Sequence, residues 1–422
     1  RHFRTPGADF PSAGARGGIR TPVRRRTGPD LQQASAAGAV PTPHAIRRLV
    51  AALLEWFQGS ARDLPWRRTL DPYAIWVSEI MLQQTQVKTV IPYWERWMAA
   101  LPDVRALATA RPERVLKLWE GLGYYARARN LQKAAQQIVE RHGGLFPRDF
   151  DDILKLPGVG RYTAGAIGSI AFNQPVPILD GNVIRVLTRI FHVTGDPRSK
   201  AVNRQLWALA EALVREAATR PFASPQAAAG PCSALNQSLM ELGATVCIAR
   251  VPACPACPVQ SHCAARREGV AERLPHRRKP ATVTARRFAA FLVARNGRFL
   301  VRQRPANGVN AGLWEFPNLE LISTRRTARL AFEELFGRRP ARLVRVGRLK
   351  HSITRYRMTL EVYSAPADPA QLAAPGGRWV RAADLAKLAF AAAHRRIVDG
   401  IATAARRKGT APAPGAWERE RP

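Results

Sequence analysis

Apolar residues recur at helical spacing through more than half of the chain. Between Leu131 and Val139 they repeat every three to four positions, and Gly143-Gly144 follows where a helix would stop. The residues from Leu206 to Val214 show the same period. Strand signals are sparse over this region, so the sequence predicts an all-α domain over residues 44–270.

One helix start within this region is marked by its capping residues. Asp71-Pro72 combines a residue suited to the N-cap with a proline suited to the first helical turn. The largely apolar run that follows predicts a helix that continues through about Val87.

The period changes after residue 286, and a smaller α+β domain is expected over residues 287–406. Asn296-Gly297 joins two apolar runs and is typical of a tight hairpin turn. The predicted elements are strands over residues 288–294 and 298–303, a helix over 324–336 and two strands within 343–364.

The remaining segments show no clear period. Residues 1–43 are rich in Gly, Pro, Ala and Arg and are predicted to be a disordered basic arm, with an organellar transit peptide as the alternative. A linker is predicted over residues 271–286 and a disordered tail over residues 407–422. No apolar run approaches the roughly 18 residues that a membrane-spanning helix needs, so no membrane partner is expected.

The charge balance favours a polyanionic partner. Lysine and arginine number 66 against 31 acidic residues, which leaves a formal net charge of +35. Nucleic acid is the first candidate for such an excess. A GC-rich genome, whose codons favour Arg and Ala, is an alternative origin for part of it.

Four of the five cysteines crowd together in a way that suggests a metal site. Cys247, Cys254, Cys257 and Cys263 are spaced C-x6-C-x2-C-x5-C, which is unlike a secreted disulfide framework. Four thiolates complete the ligand set of one cubane iron–sulfur cluster or of one zinc ion, although zinc sites more often use two CxxC pairs. Unligated cysteines are the remaining alternative. Cys232 stands apart and is expected to be a small buried apolar residue.

Two carboxylates stand out by their surroundings. Glu79, in WVSEIMLQQTQV, has bulky apolar neighbours that would raise the pKa of its carboxyl; a surface position on an amphipathic helix is the alternative. Asp180, in VPILDGNVIRV, is placed at a helix start, where a simple N-cap is the alternative. As a pair they suit glycosidic bond cleavage, which needs one acid and one charge stabiliser.

Three further segments suit nucleic acid. Gly158 and Gly160, in LPGVGRYTAGAI, would turn backbone N–H groups toward a phosphate oxygen, unless they form only a tight turn between helices. The amides of Gln83 and Gln84 could fill the space left by a displaced base. Tyr124 stands beside positive charge on a glycine-rich turn. Its ring could stack on a base or pack in the core, and the sequence leaves both roles possible.

Taken together, these motifs resemble one known family. LPWR at residues 64–67, WVSEIMLQQTQV, GLGYYARARN, LPGVGRYTAGAI, PILDGNV and the four-cysteine pattern occur in the order found in adenine DNA glycosylases of the MutY type, members of the helix-hairpin-helix superfamily. The resemblance is dense over residues 45–270 and thinner beyond. It implies an all-α helix-hairpin-helix glycosylase domain with an iron–sulfur cluster loop, followed by a Nudix-like α+β domain.

The resemblance implies a role for each matching residue. Glu79 protonates the adenine, Asp180 stabilises the oxocarbenium-like sugar, and Tyr162 and Asn182 lie beside that centre. Gln84 enters the duplex as a wedge, and Tyr124 intercalates beside the oxidised guanine. The residues implied to line the adenine pocket are Arg62, Trp66, Leu82 and Gln237.

The same resemblance implies the cofactor and the partner. Cys247, Cys254, Cys257 and Cys263 would hold a [4Fe–4S] cluster with a structural and DNA-binding role. The partner is double-stranded DNA with adenine opposite 8-oxoguanine or guanine, bound by a monomeric enzyme. The expected location is the bacterial cytoplasm, at the nucleoid.

The second domain departs from the family pattern in two places. GLWEFP at residues 312–317 is Nudix-like, but Leu330 and Phe336 replace a glutamate and a glycine of the Nudix helix, so no nucleotide hydrolysis is expected. A Phe-Ser-His loop often contacts the oxidised guanine in this family. Ile353, Thr354 and Arg355 stand there instead; Thr354 keeps a hydroxyl for that contact.

Two other classes of function compete with this assignment. Relatives on the same scaffold include endonuclease III-like lyases, which use a lysine where this chain has Tyr162, and thymine or uracil mismatch glycosylases, which the second domain argues against. A non-catalytic DNA-binding or redox-sensing iron–sulfur protein is the other class. The retention of both Glu79 and Asp180 argues against it.

Overall fold

The computed structural model describes residues 41–222, 230–276, 282–322, 326–353, 355–366 and 376–406. Most of the predicted basic arm and all of the predicted tail lie outside these ranges, as does Thr354. No helix among the described residues is both long and apolar enough to cross a membrane.

The first part of the chain is helical, as predicted. Its helices are α1 (Pro43–Ser60), α2 (Pro72–Leu82), α3 (Val87–Ala100), α4 (Val104–Thr109), α5 (Pro112–Leu118), α6 (Ala126–His142), α7 (Phe150–Leu154), α8 (Arg161–Phe172), α9 (Gly181–Ile190), α10 (Lys200–Ala218), α11 (Pro231–Thr245) and α12 (Ala264–Arg267). The predicted stop of α6 is confirmed, since Gly143 caps its end in the left-handed conformation at φ 61°.

Helix α2 begins as predicted but ends sooner. The Asp71 side chain accepts a hydrogen bond from the Tyr73 amide at 3.0 Å, and Pro72 opens the first turn. The prediction that this helix continues to about Val87 is wrong. It ends at Leu82, because Gln84 adopts φ 60° and turns the chain before α3 begins.

Helix α2 runs between two apolar cores. Trp76 and Val77 belong to a core built from α2 to α8, while Ile75 belongs to a second core shared with α1 and α8 to α11. A helix covered on all sides is apolar all round, which explains why the α2 sequence lacks a polar stripe. Any ionisable side chain on it is therefore drawn into the interior.

The second part of the chain is an α+β domain. Its strands are β1 (Thr284–Arg295), β2 (Arg298–Gln303), β3 (Trp314–Glu315), β4 (Asn318–Glu320), β5 (Val344–Ile353), β6 (Tyr356–Pro366) and β7 (Gly377–Arg381), and its helices are α13 (Ala328–Phe336), α14 (Ala382–Leu385) and α15 (Ala392–Arg406). The main sheet order is β3-β2-β1-β6-β5, with β4 on β1 and β7 on β2. The predicted hairpin is confirmed: Asn296 and Gly297 both have positive φ.

The sheet domain packs directly on the helical one. Leu313 is fully buried and belongs to the same apolar core as α2 to α8. The Glu120 carboxylate, just after α5, accepts hydrogen bonds from the Phe390 amide at 2.8 Å and from Arg395 Nε at 2.7 Å. These contacts join α15 and the loop ahead of it to the segment that leads into α6.

One glycine in α8 is needed for close approach to the segment that carries Asp180. A Cβ at Gly165 would lie 2.2 Å from the Pro177 carbonyl oxygen, whereas a Cβ at Gly59 in α1 would meet nothing within 4 Å. We expect Gly165→Ala to destabilise the protein by about 1–3 kcal/mol because the backbone must move. Thermal unfolding would measure this. Gly59→Ala is the matched control and should be neutral or slightly stabilising; equal midpoints for the two variants would contradict the prediction.

Candidate active site

Most of the predicted site residues line one cavity of about 580 Å³. Its wall combines α2, the turn after it, the start of α8, the N-terminus of α9 and one face of α11. The predicted residues that line it are Arg62, Trp66, Glu79, Leu82, Gln83, Gln84, Tyr162, Asp180, Asn182 and Gln237. Tyr124, Gly158 and Gly160 are not part of the lining.

Glu79 is a buried acid that opens into this cavity. Only 4% of its surface is exposed, so the interpretation as a surface glutamate is wrong. The Tyr162 hydroxyl donates a hydrogen bond to its Oε2 at 2.6 Å. Burial, helped by the nearby charge of Asp180, raises the pKa of Glu79 to about 7, against the opposing effects of Tyr162 and Arg67. Near neutral pH the carboxyl is therefore poised to hold a proton and to release it.

Asp180 is both a helix N-cap and a lining residue of the cavity. It is the N-cap of α9: its Oδ1 accepts a hydrogen bond from the Val183 amide at 2.7 Å. Its Oδ2 accepts one from Asn182 Nδ2 at 3.0 Å, and the residue lines the cavity. Burial raises the pKa of Asp180, but these hydrogen bonds and the charge of Arg185 oppose the rise. The two carboxyls differ in their hydrogen-bond partners: a tyrosine hydroxyl donates to Glu79, whereas a backbone amide and a side-chain amide donate to Asp180.

An ion-pair network that the sequence did not predict forms another wall of the cavity. Glu241 is 1% exposed and binds Arg62 Nε at 2.5 Å and Arg67 Nη2 at 2.9 Å. Arg67 Nε also donates to Gln237 Oε1 at 3.0 Å. Burial works to raise the pKa of Glu241, but the two arginines outweigh it and hold that pKa below its ordinary value. The network fixes the orientation of Arg67 and Gln237 before any ligand binds.

A sequence signal for this network existed but was weak. Gln237 and Glu241 are four positions apart on α11, so they share one face of the helix. The pairing of Glu241 with Arg62 spans 179 residues, and no local pattern reports it.

Gln84 and Tyr124 stand on two exposed turns with strained backbones. Gln84 has φ 60° and Tyr124 has φ 46°, values that residues other than glycine rarely adopt. Tyr124 is 48% exposed, so its interpretation as a core residue is wrong. Strain of this kind persists only where neighbouring structure enforces it.

The two hairpin glycines differ in the space around them. Gly158 has φ 78°, and a Cβ there would lie 2.7 Å from the Cβ of Asn130 on α6. Gly160 is the N-cap of α8, and a Cβ there would meet nothing within 4 Å. The turn therefore packs on α6 at one glycine and faces open space at the other. Its contact with phosphate stays a prediction.

The four clustered cysteines face a second cavity. Cys247, Cys254, Cys257 and Cys263 all line it, and all four thiols are free. The buried Arg189 lies beside them, with Nη1 at 3.3 Å from Cys247 Sγ. Among the described residues, no three His, Cys, Asp or Glu side chains are grouped so that they could hold one metal ion. Four thiol donors lining one cavity are the number that either one cubane iron–sulfur cluster or one tetrahedral zinc ion takes.

The remaining predictions concern the cysteine outside the cluster and the second domain. Cys232 is 1% exposed in an apolar core, as predicted. In the Nudix-like helix α13, Glu333 pairs with Arg339 and Glu334 with Arg326. Thr354 lies outside the described residues, so its proposed contact stays a prediction.

Comparisons with known proteins agree with this arrangement. Residues 77–212 match the family described as HhH-GPD superfamily base excision DNA repair protein, and residues 289–400 match the NUDIX domain. The adenine DNA glycosylase of Mus musculus is 39% identical over 82% of this chain and 76% of its own length. That of Homo sapiens is 36% identical over 82% of this chain and 72% of its own length.

Among solved structures, a thermostable thymine-DNA glycosylase is 29% identical over 53% of this chain and 98% of its own, with a TM-score of 0.47.

Proposed function

The chain belongs to the adenine DNA glycosylase family, and from this premise we propose that Glu79 and Asp180 carry its reaction. The reaction is hydrolysis of the N-glycosidic bond of adenine mispaired with 8-oxoguanine or guanine in double-stranded DNA. The observation that carries the proposal is the pair itself: a buried acid bonded to Tyr162 and a capped carboxylate open into one cavity.

Glu79 acts as the general acid. Adenine is a poor leaving group unless a ring nitrogen is protonated, and a carboxyl with a pKa of about 7 carries a proton for that step near neutral pH. After the transfer Glu79 is an anion, and the Tyr162 hydroxyl donates to its Oε2. This hydrogen bond stabilises the charged form that the transfer creates.

Asp180 acts on the sugar. Loss of the base leaves positive charge on the sugar ring, and a carboxylate fixed by the Val183 amide and by Asn182 stabilises it, through charge alone or through a transient covalent bond. Water then adds to the sugar carbon, breaking the bond to Asp180 where one has formed, and the proton that it loses returns to the Glu79 carboxylate. Because the capping contacts hold the carboxylate before the substrate arrives, little reorganisation is needed during the reaction.

The rest of the cavity receives the base and the strand around it. A base inside a duplex is out of reach, so the adenine must be extruded into the cavity. Trp66 and Leu82 offer apolar contact there, while Arg62 and Gln237 offer polar contact. Gln84 and Tyr124, on their exposed turns, enter the duplex and hold open the space that the adenine leaves.

DNA binding itself draws on charge and on the hairpin. The net charge of +35 favours a polyanion, and the open face at Gly160 leaves room for a phosphate at the start of α8. Preference for 8-oxoguanine over guanine is assigned to the second domain, near Thr354.

A base-release assay tests this function. Duplexes carrying adenine opposite 8-oxoguanine, guanine and cytosine should be compared with thymine and uracil opposite guanine. We expect adenine release from the first two and little from the others. Borohydride should trap little covalent adduct, because a tyrosine at position 162 cannot form a Schiff base with the sugar. Release of thymine or uracil in preference to adenine would refute the proposal.

We propose a [4Fe–4S] cluster as the resident cofactor, which the four clustered cysteines would hold. When bound, it supplies rigidity to the loop over residues 247–263 rather than chemistry on the substrate. The support is the shared cavity, the free thiols and the neighbouring Arg189, whose charge offsets that of the thiolates.

We expect Cys257→Ser to lose iron, acid-labile sulfide and the visible absorption of the cluster, because one iron loses its thiolate ligand. Elemental analysis and absorption spectroscopy measure this. Cys232→Ala, which alters the cysteine outside the cluster, should retain all three. Zinc in place of iron, without labile sulfide, would contradict the assignment.

A further inference from the structure

One arginine contacts both strained turns, the one that follows α2 and the one that precedes α6. Arg127, in the first turn of α6, donates through Nη1 to the carbonyls of Ile80, Met81 and Gln83 at 2.6–3.0 Å. Through Nη2 it donates to the carbonyls of Leu122 and Gly123 at 3.1 and 3.2 Å. A single guanidinium therefore joins the C-terminal end of α2 to the turn that precedes α6.

The two joined segments carry the residues proposed to enter the duplex. Gln84 follows directly after the Gln83 carbonyl that Arg127 holds, and Tyr124 follows directly after the Gly123 carbonyl. Both residues adopt positive φ, so each backbone is held away from its ordinary conformation. The guanidinium also lies over the rings of Trp119 and Tyr124, at 5.1 and 5.8 Å from their centroids.

The chemistry of the contact suits arginine and no other side chain. The last carbonyls of a helix carry partial negative charge and attract a cation. A planar guanidinium can donate hydrogen bonds to two separate backbone segments at once, whereas a lysine ammonium is a compact point charge. A lysine at position 127 would keep a positive charge at the end of α2 but could not donate hydrogen bonds to both segments.

We propose that Arg127 is a positioning residue that fixes the spacing between Gln84 and Tyr124, and thereby sets how readily the adenine is extruded. The inference rests on the proposed function of those two residues. It assigns Arg127 no contact with the reacting atoms. Its effect should therefore appear where extrusion is costly and fade where the adenine is already unpaired.

The test uses the full chain and two substrates. Single-turnover rates of adenine release are measured on a duplex with adenine opposite 8-oxoguanine, and on the same duplex with that adenine in a one-nucleotide bulge. Extrusion costs less for an unpaired base. We expect Arg127→Lys to slow release from the mispair about tenfold or more and from the bulge by less than about threefold. Arg141→Lys, at an exposed position in the last turn of the same helix, should change neither rate.

A double-mutant comparison isolates the proposed mechanism. In a Tyr124→Ala background, Arg127→Lys should slow adenine release much less than it does in the wild type, because the side chain that Arg127 positions is already absent. If Arg127→Lys does not fold, Gly123→Ala takes its place. It strains the same turn at φ 71° without a steric clash, and it must show the same substrate dependence.

The outcomes separate this inference from the function on which it rests. Wild-type protein that releases no adenine from the mispair would refute the proposed function. Active wild type, with Arg127→Lys slowed equally on both substrates, would overturn the inference and leave Arg127 as a purely structural cap of α2.

Discussion

Glu79→Gln is expected to lower the rate of adenine release by about 10²- to 10⁴-fold while binding of the mispaired duplex survives. Glutamine has nearly the shape of glutamate and can still accept the Tyr162 hydrogen bond now made to Oε2. It cannot donate a proton to the leaving base. The loss should therefore fall on the chemical step, measured as the single-turnover rate, and spare the dissociation constant.

The pH dependence of the wild type should identify the same group. The acid works only while protonated, and its pKa of about 7 lies above the ordinary value because of burial. Release should therefore be fast below pH 7 and fall about tenfold for each pH unit above it. At low pH, protonation of Asp180 removes the second carboxylate and lowers the rate again. The residual activity of Glu79→Gln should lack the fall near pH 7.

Glu113→Gln is the control for this prediction. Glu113 is exposed in the first turn of α5, so its substitution makes the same chemical change at a residue outside the cavity lining. Unchanged release by Glu113→Gln is expected. Normal release by Glu79→Gln, or a wild-type rate that rises through pH 8, would show that Glu79 is not the acid.

Asp180→Asn is expected to lower adenine release by about 10³-fold without a large loss of stability. Asparagine is as good an N-cap as aspartate, so the hydrogen bond to the Val183 amide at the start of α9 can be kept. What disappears is the negative charge that faces the developing positive sugar, and preorganised charge of this kind contributes on the order of 10²–10³ or more in rate. The substitution thus separates the capping role of Asp180 from its proposed role on the sugar.

Asp103→Asn is the matched control. Asp103 caps α4 with an equivalent hydrogen bond to the Ala106 amide at 2.8 Å but is exposed. Both variants should unfold at temperatures close to that of the wild type, and only Asp180→Asn should be inactive. If Asp180→Asn unfolds at a much lower temperature than the wild type, its inactivity reports lost structure. Measured binding of the mispaired duplex would then be needed to support the charge assignment.

The two carboxylates that the sequence singled out each have a local signature, whereas the pocket residues came from the family resemblance. Glu79 interrupts an apolar run, and Asp180 precedes Gly181-Asn182 at a helix start; both features depend on a few neighbours. The end of α2 had no such signature. The turn after it contains no glycine or proline, and Arg127 contacts it through a hydrogen bond to the Gln83 carbonyl that spans 44 residues.

The sequence by itself determined the helical domain followed by an α+β domain, the two carboxylates and the four-cysteine pattern. These follow from residue type and short spacing, which act within a turn or two of the chain. Only the tertiary structure decided that Glu79 and Asp180 open into one cavity, that Glu241 holds two arginines beside it, and that Leu313 lies in the helical core. Burial, and with it the pKa of Glu79, depends on what covers a side chain from every direction, and that covering comes from residues far apart in the sequence.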